Sequence, residues 1–289
     1  MAPWRPTSTP ETPTSTVTRR RARPTPTSTR ISTEPPAVTS IAVERVGDRH
    51  VARLRQGLLR PQVVAADAGR CRIGLLATTA LLLGGDVVEL EIRVGAGARL
   101  DLFDVAGTVA YHGRGASSAW HVQAEVGAGA TLTYAGEPFV VGDGADVTRS
   151  LDLALAPDAA ASVRDTVVLG RTGQRGGILR SLTSARVGDR PVLLEDQQLD
   201  PDGWRTAPGL LGAHRVLDTV MWLGPARPTV TSAPTYALVG GAGTLTRWLG
   251  AGLADSPLHA IDVGRADVVR DRPLSLSKGL AEVGSATGC

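Results

Sequence analysis

From residue 41 to about residue 171, apolar and polar side chains alternate with a period of two. Val88, Leu90, Ile92 and Val94 alternate with Glu89, Glu91 and Arg93, and Trp120, Val122, Ala124 and Val126 alternate with His121, Gln123 and Glu125. Successive side chains of a strand point to opposite faces, so each run predicts a strand with one face buried. Small-residue turns close the runs. The last third is less regular. Stretches 187–199 and 214–223 predict strands, whereas Leu245, Trp248 and Leu249, at i, i+3 and i+4, predict a short helix over 244–249, after Gly240-Gly241-Ala242-Gly243.

An internal repeat extends the strand pattern. Val94-Gly-Ala-Gly-Ala-Arg-Leu-Asp-Leu102 returns 32 residues later as Val126-Gly-Ala-Gly-Ala-Thr-Leu-Thr-Tyr134, and Leu155-Ala-Pro-Asp-Ala-Ala-Ala-Ser-Val163 is a degraded third copy. In each copy a strand ends, a tight turn bearing Gly or Pro follows, and another strand begins. Glycine suits such a turn because it accepts φ > 0 without a Cβ clash. Repeats of about 30 residues mean one supersecondary unit stacked on its neighbours, each burying the face the last one exposes. The expected fold is therefore all-β: stacked β-hairpin units in partly solenoid-like layers, with one or two short helices in the C-terminal third.

Composition sets the boundaries. Residues 1–40 are rich in Pro, Thr, Ser and Arg, repeat Pro-Thr-Ser-Thr, and have little to bury, so a disordered tail is expected there. A single domain is expected over 41–270 and a frayed segment over 271–289. Hydrophobic residues make up 42% of the chain but aromatics only 3%, so its core must use thin, closely stacked layers. The net charge of +3 is misleading: residues 1–36 carry six arginines against two acids, a balance of +4 that leaves −1 for the remainder. A near-neutral body argues against a nucleic-acid-binding domain. Cys71 and Cys289 form no CxxC pair, and two free thiols fit a reducing, cytoplasmic compartment. No signal peptide and no run of about 18 apolar residues is present, so no membrane role is expected.

Patterns that carry chemistry are scarce. The sole lysine, Lys278, is followed by Gly279, which rules out a phosphate-binding loop built on Gly-Lys-Ser/Thr. No Gly-x-Ser-x-Gly elbow occurs. Ser275-Leu-Ser-Lys278 has the Ser-x-x-Lys spacing of serine β-lactamases without the Lys-Thr-Gly that accompanies it. The five histidines, His50, His112, His121, His214 and His259, form no HxH or HExxH pair. His112 and His121 are expected on two arms of one hairpin, where with Tyr111 they would form a weak transition-metal site or be plain solvent-facing strand residues. Gly84-Gly85-Asp86 predicts a tight turn into the strand at Val87. Asp86 would either cap that turn or, with Glu89, Asp101 and Asp104, mark a polar path inside the fold that suits a metal in transit.

The ordered set of motifs resembles the UreD (UreH) family of urease accessory proteins, in a divergent actinobacterial-type form. The set runs from Leu58-Leu-Arg-Pro61 through Gly84-Gly85-Asp86, Val94-Gly-Ala-Gly-Ala98, Thr108-Val-Ala-Tyr111 and Val126-Gly-Ala-Gly-Ala-Thr-Leu132 to Pro138 and Gly170-Arg171. It departs from the family's pattern where Val109 replaces a common lysine, where Gly136-Glu137-Pro138 replaces Pro-x-Pro, and where Gln174 replaces a frequent glutamate. The resemblance implies a maturation chaperone, not an enzyme. Such a protein binds apo-urease together with UreF-like and UreG-like proteins and passes nickel through a polar interior, with no tightly bound cofactor. Carried onto this chain, Asp86 is the first candidate for that passage and Glu89 the second, with Tyr111 and His112 as further candidate metal contacts. The competing class is a metal-dependent hydrolase or isomerase on a β-solenoid or jelly-roll frame, which requires a convergent pocket with three or more ligands. A pure interaction protein is a third.

Overall fold

The structure, a computed structural model, describes residues 38–203, 211–224 and 233–260. The expected tail lies outside the described residues up to residue 37, and the segment 271–289 lies outside them entirely. The first strand already begins at Thr39.

Four strands open the body: β1 (Thr39–Val46), β2 (Arg49–Arg55), β3 (Leu59–Ala66) and β4 (Cys71–Ala77). The repeat region supplies β5 (Val87–Val94), β6 (Arg99–Asp104), β7 (Thr108–Ala110), β8 (Ser118–Val126), β9 (Thr131–Ala135), β10 (Phe139–Val141), β11 (Asp146–Leu155) and β12 (Ala160–Leu169). The chain continues with β13 (Ile178–Val187), β14 (Arg190–Leu199), β15 (Val216–Leu223), β16 (Thr235–Ala237) and β17 (Gly243–Gly250). The helices among the described residues are short 3₁₀ turns at Val239–Gly241, Leu253–Asp255 and Pro257–Ala260.

The strands form two facing sheets. One has seven strands in the order β14-β13-β11-β8-β5-β1-β2. The other has ten, in the order β16-β17-β15-β12-β9-β6-β4-β3, with β10 alongside β12 and β7 alongside β10. Each Gly-Ala repeat is a corner that carries the chain from the first sheet to the second, as from β5 to β6 and from β8 to β9. The layered β class is as expected, and the corners define its unit: strands of successive coils pair in parallel. Antiparallel hairpins close the ends, at β1–β2, β3–β4 and β13–β14.

The repeat keeps its register through the stack. Val94 pairs with Val126, Val126 with Leu155 and Leu155 with Val187. Backbone bonds tie the corners together, with Gly127 N–H donating to the Val94 carbonyl and Ala156 N–H to that of Val126, both at 2.8 Å. The apolar sets read from the alternation are all buried. Alanines 98, 130 and 159 stack inside the corners, where only a methyl group fits between the converging sheets.

Two local expectations are corrected. Residues 244–249 form strand β17, not a helix, because Leu245 pairs with Met221 of β15 and Thr246 with Thr235 of β16. Backbone partners on both sides, with β-branched Thr244 and Thr246 in the strand, outweigh a single turn's worth of helical spacing. His112 and His121 do not share a hairpin. β7 belongs to the ten-stranded sheet and pairs with β10, whereas β8 belongs to the other sheet.

The ten-stranded sheet also carries a buried ion pair on its outer face. Asp218 is 0% exposed and accepts from Arg164 Nη2 at 2.8 Å, Arg164 Nε at 3.2 Å, Thr166 Oγ1 at 2.8 Å and Ser256 Oγ at 2.5 Å. These donors offset the cost of burying the charge, and Ser256 ties the segment after β17 to β15.

Leu132 is 0% exposed in the middle of the stack, and Leu194 is 75% exposed on the outer face of β14. Leu132→Ala is expected to lower unfolding free energy by about 3 kcal/mol, the scale of a core cavity, and Leu194→Ala by less than about 0.5 kcal/mol. Urea denaturation midpoints of the two variants check this.

Candidate functional site

The ten-stranded sheet is broken along one line. β6 ends at Asp104 before β7 begins at Thr108, and β9 ends at Ala135 before β10 begins at Phe139. Glycine permits the close backbone approach at the break. A Cβ on Gly136 would stand 2.6 Å from the Arg164 carbonyl oxygen, and one on Gly107 would stand 2.8 Å from that of Pro138. The Pro138 carbonyl in turn accepts from Thr108 N–H at 3.0 Å.

At this break the space between the sheets turns from apolar to polar. Asp104, Tyr134, Glu137 and Asp165 line it with Arg149, Ser181 and Thr183 in a cavity of about 40 Å³. A second cavity, of about 30 Å³, shares Leu151, Val163, Asp165, Ser181 and Thr183 with the first and continues to Glu195, Gln197, Thr219 and Arg247. Each has room for water-sized species. The two small cavities adjoin along these shared residues, a two-chambered polar passage between the sheets with Trp120, Phe139, Leu217 and Leu245 on its apolar sides.

Two ion pairs cross this passage. Arg149 of β11 donates to Asp165 of β12 from Nη2 at 2.7 Å and from Nη1 at 3.4 Å. Arg247 of β17 donates to Glu195 of β14 at 2.6 and 2.7 Å, and its Nε donates to Thr219 Oγ1 at 3.2 Å. Both pairs bridge one sheet to the other. Asp104 accepts from the Tyr134 hydroxyl at 3.2 Å and from Glu137 N–H at 3.1 Å. Burial, reinforced by the Asp104 charge beside it, pushes the Tyr134 phenol well above its ordinary value. The polar lining consists of carboxylate, hydroxyl, amide and guanidinium groups, with no histidine or cysteine. Oxygen donors of this kind suit divalent cations held weakly, since imidazole and thiolate are what hold nickel or zinc tightly.

Of the residues expected on an interior path, Asp104 is there and the others are elsewhere. Asp86 closes its own turn: its Oδ2 accepts from Leu83 N–H at 2.9 Å while its N–H donates to the Leu83 carbonyl at 3.0 Å. Glu89 is exposed on the outer face of the seven-stranded sheet, because the alternation that buries Val88 and Leu90 turns it outward. It pairs there with His121, whose Nδ1 lies 2.7 Å from Ser150 Oγ. Asp101 lies on the outer face of the other sheet, paired with Arg70 at 3.0 Å. Tyr111 and His112 follow β7 in a corner loop, with Arg171 over the Tyr111 ring at 5.4 Å and His112 Nδ1 accepting from Arg114 N–H at 2.9 Å. Among the described residues, no three His, Cys, Asp or Glu side chains converge as a metal site would require.

Arg149, Asp165, Glu195 and Arg247 escaped the sequence reading, yet each carried a signal. Arg149 shares parity with Val147, Leu151 and Leu153, Asp165 with Val163 and Val167, Glu195 with Leu193 and Leu199, and Arg247 with Leu245 and Leu249. A charge at an apolar-parity position of a strand points into the gap between sheets.

The described residues thus form a parallel stack of β coils with paired charges between the sheets. Among the described residues no helix is long and apolar enough to cross a membrane. The family model of the UreD urease accessory protein matches residues 39–255, and the chain belongs to that family. It is 43% identical over 219 residues to urease accessory protein UreD 1 of Streptomyces griseus, covering 75% of this chain and 86% of that one. It is 35% identical over 190 residues to UreD 1 of Saccharopolyspora erythraea, covering 64% and 74%. Against UreD of Streptomyces avermitilis the identity is 34% over 198 residues, covering 66% and 76%. The family is one of accessory proteins, not enzymes, and the hydrolase or isomerase alternative falls with that.

Tyr134 supplies a test of the interior. Its phenol is neutral in the folded state and ionises more readily in the unfolded chain, so its contribution to stability is complete below the ordinary tyrosine value of about 10 and is lost as pH rises beyond it. In an alkaline absorbance titration of the three tyrosines, Tyr134 is expected to ionise last and together with unfolding. Tyr134→Phe is expected to remove that late step.

Proposed function

We propose that this chain is a urease maturation factor: a scaffold that binds apo-urease together with UreF-like and UreG-like partners and lets nickel cross between its sheets toward the urease metallocentre. Nickel is cargo here, not a resident cofactor. The observation that carries this is the carboxylate series Asp104, Asp165 and Glu195, which lines two adjoining cavities inside an otherwise apolar stack. Family membership supports the tie to urease, and the lining supports the tie to an ion in transit. Oxygen ligands exchange a divalent cation readily, so an ion entering at the Asp104 end is not retained as imidazole or thiolate would retain it. Asp104, Asp165 and Glu195 thus take the part that the family resemblance assigned to Asp86 and Glu89. The site of this work is the cytoplasm, in keeping with Cys71, a buried free thiol whose ionisation is disfavoured by burial.

Cells that express the urease gene cluster at limiting nickel provide the test, with this gene deleted and then restored as variants. Asp165→Asn and Glu195→Gln are each expected to lower urease activity and its nickel content several-fold while the scaffold still co-purifies with apo-urease and the UreF-like protein. Full nickel loading by both variants would overturn the interior route. Normal urease formation in the deletion strain would overturn the maturation role itself.

A further inference from the structure

Most of the acidic groups in the passage are already occupied. Asp165 and Glu195 are each held by an arginine from the opposite sheet, and an arginine cannot let go by losing its proton, because it stays charged at any pH the protein meets. A cation that binds either carboxylate competes with a guanidinium for it.

Arg149 is the more informative of the two. Its Nε is buried without a hydrogen-bond partner. The Arg149 guanidinium also lies over the Phe139 ring, 4.3 Å from its centroid. That ring face attracts a cation independently of the carboxylate, so the guanidinium keeps a seat when Asp165 releases it. Asp165 sits where the two cavities join, since it lines both. A doubly charged ion competes for a carboxylate against a singly charged guanidinium with the advantage in charge.

We propose that Arg149 is an internal gate: its guanidinium occupies Asp165 until a divalent cation displaces it, the Phe139 ring beneath it keeps the released guanidinium at hand, and it returns once the ion has moved on. Arg247 stands in the same relation to Glu195 at the far end of the passage. The gate rests on the interior route proposed above. It explains how acidic groups can line a passage without trapping what passes: each carboxylate regains its own counter-ion, and the departing ion is driven off by the returning positive charge.

The test is nickel retention by the full chain in complex with its UreF-like partner, read as metal per protein after equilibration with nickel alone and gel filtration. Wild type is expected to retain little. Arg149→Gln leaves the Asp165 charge uncompensated and is expected to raise retention about tenfold, the scale of removing one close opposing charge. Arg149→Gln combined with Asp165→Asn is expected to return retention to the wild-type level. Arg149→Lys, a point charge without the planar fork, is expected to fall between. Retention by Arg149→Gln equal to wild type would overturn the gate and leave the pair as a structural strut. If Arg149→Gln does not fold, Arg247→Gln with and without Glu195→Gln asks the same question of the second pair, and unchanged retention there overturns the gate equally. The urease-loading result for Asp165→Asn separates the two ideas. Impaired loading together with unchanged retention in Arg149→Gln leaves the route standing and removes the gate, whereas unimpaired loading removes the route.

Discussion

Parallel pairing of successive coils is the constraint on which the rest of the structure depends. Each central strand gives its backbone groups to the coils on either side, so the peptide hydrogen bonds are satisfied whatever side chains it carries. The Gly-Ala corners hold the two sheets at one separation and one register, with Val94, Val126, Leu155 and Val187 in a single column. What remains free is the choice of side chains that face into the gap. Near the corners that choice is alanine, valine and leucine, and the gap is filled. Around the break at 105–107 and 136–138 it becomes aspartate, tyrosine, arginine and serine, and small cavities remain.

Charges inside such a gap are tolerable only when they are paired. The protein meets this demand in two ways. Asp218, on the outer face of the ten-stranded sheet, is paired with Arg164 and also accepts from Thr166 and Ser256, and the pair is closed off from solvent. Arg149–Asp165 and Arg247–Glu195 keep between about a seventh and a third of their side-chain surface open within the passage. The first arrangement fixes one strand and the segment that follows the last one. The second leaves ions paired yet replaceable, which is what a route for a cation requires and what a structural salt bridge does not.

The repeat and the alternation made the layered β class legible, because corners and strands of a stacked coil follow a local rule that each copy restates. The end strand β17 was not legible: its strand state is imposed by pairing with β15 and β16, which its own residues do not announce, and its spacing of Leu245, Trp248 and Leu249 suits a helix. Among the candidate site residues, Asp104 was named only as one of several acids after the Gly-Gly-Asp turn, with nothing to set it apart from Asp101. Asp86 and Glu89 were drawn in by family likeness and by an acidic character that the turn and the outer face account for. Arg149 and Asp165 were visible in principle, as charges at inward-facing positions of strands whose other inward residues are apolar. Their partnership was not, because it depends on which strand of one sheet faces which strand of the other.

The most direct test of an interior route is to close it without touching a charge. Ser181 lines both cavities at their junction and is nearly buried, so Ser181→Leu fills that space with an apolar side chain. The nickel content of urease assembled in the presence of this variant, under limiting nickel, is the quantity to measure. The account predicts that the complex with apo-urease still forms and that the urease carries far less nickel than with wild type. Full nickel occupancy with the junction filled would contradict it.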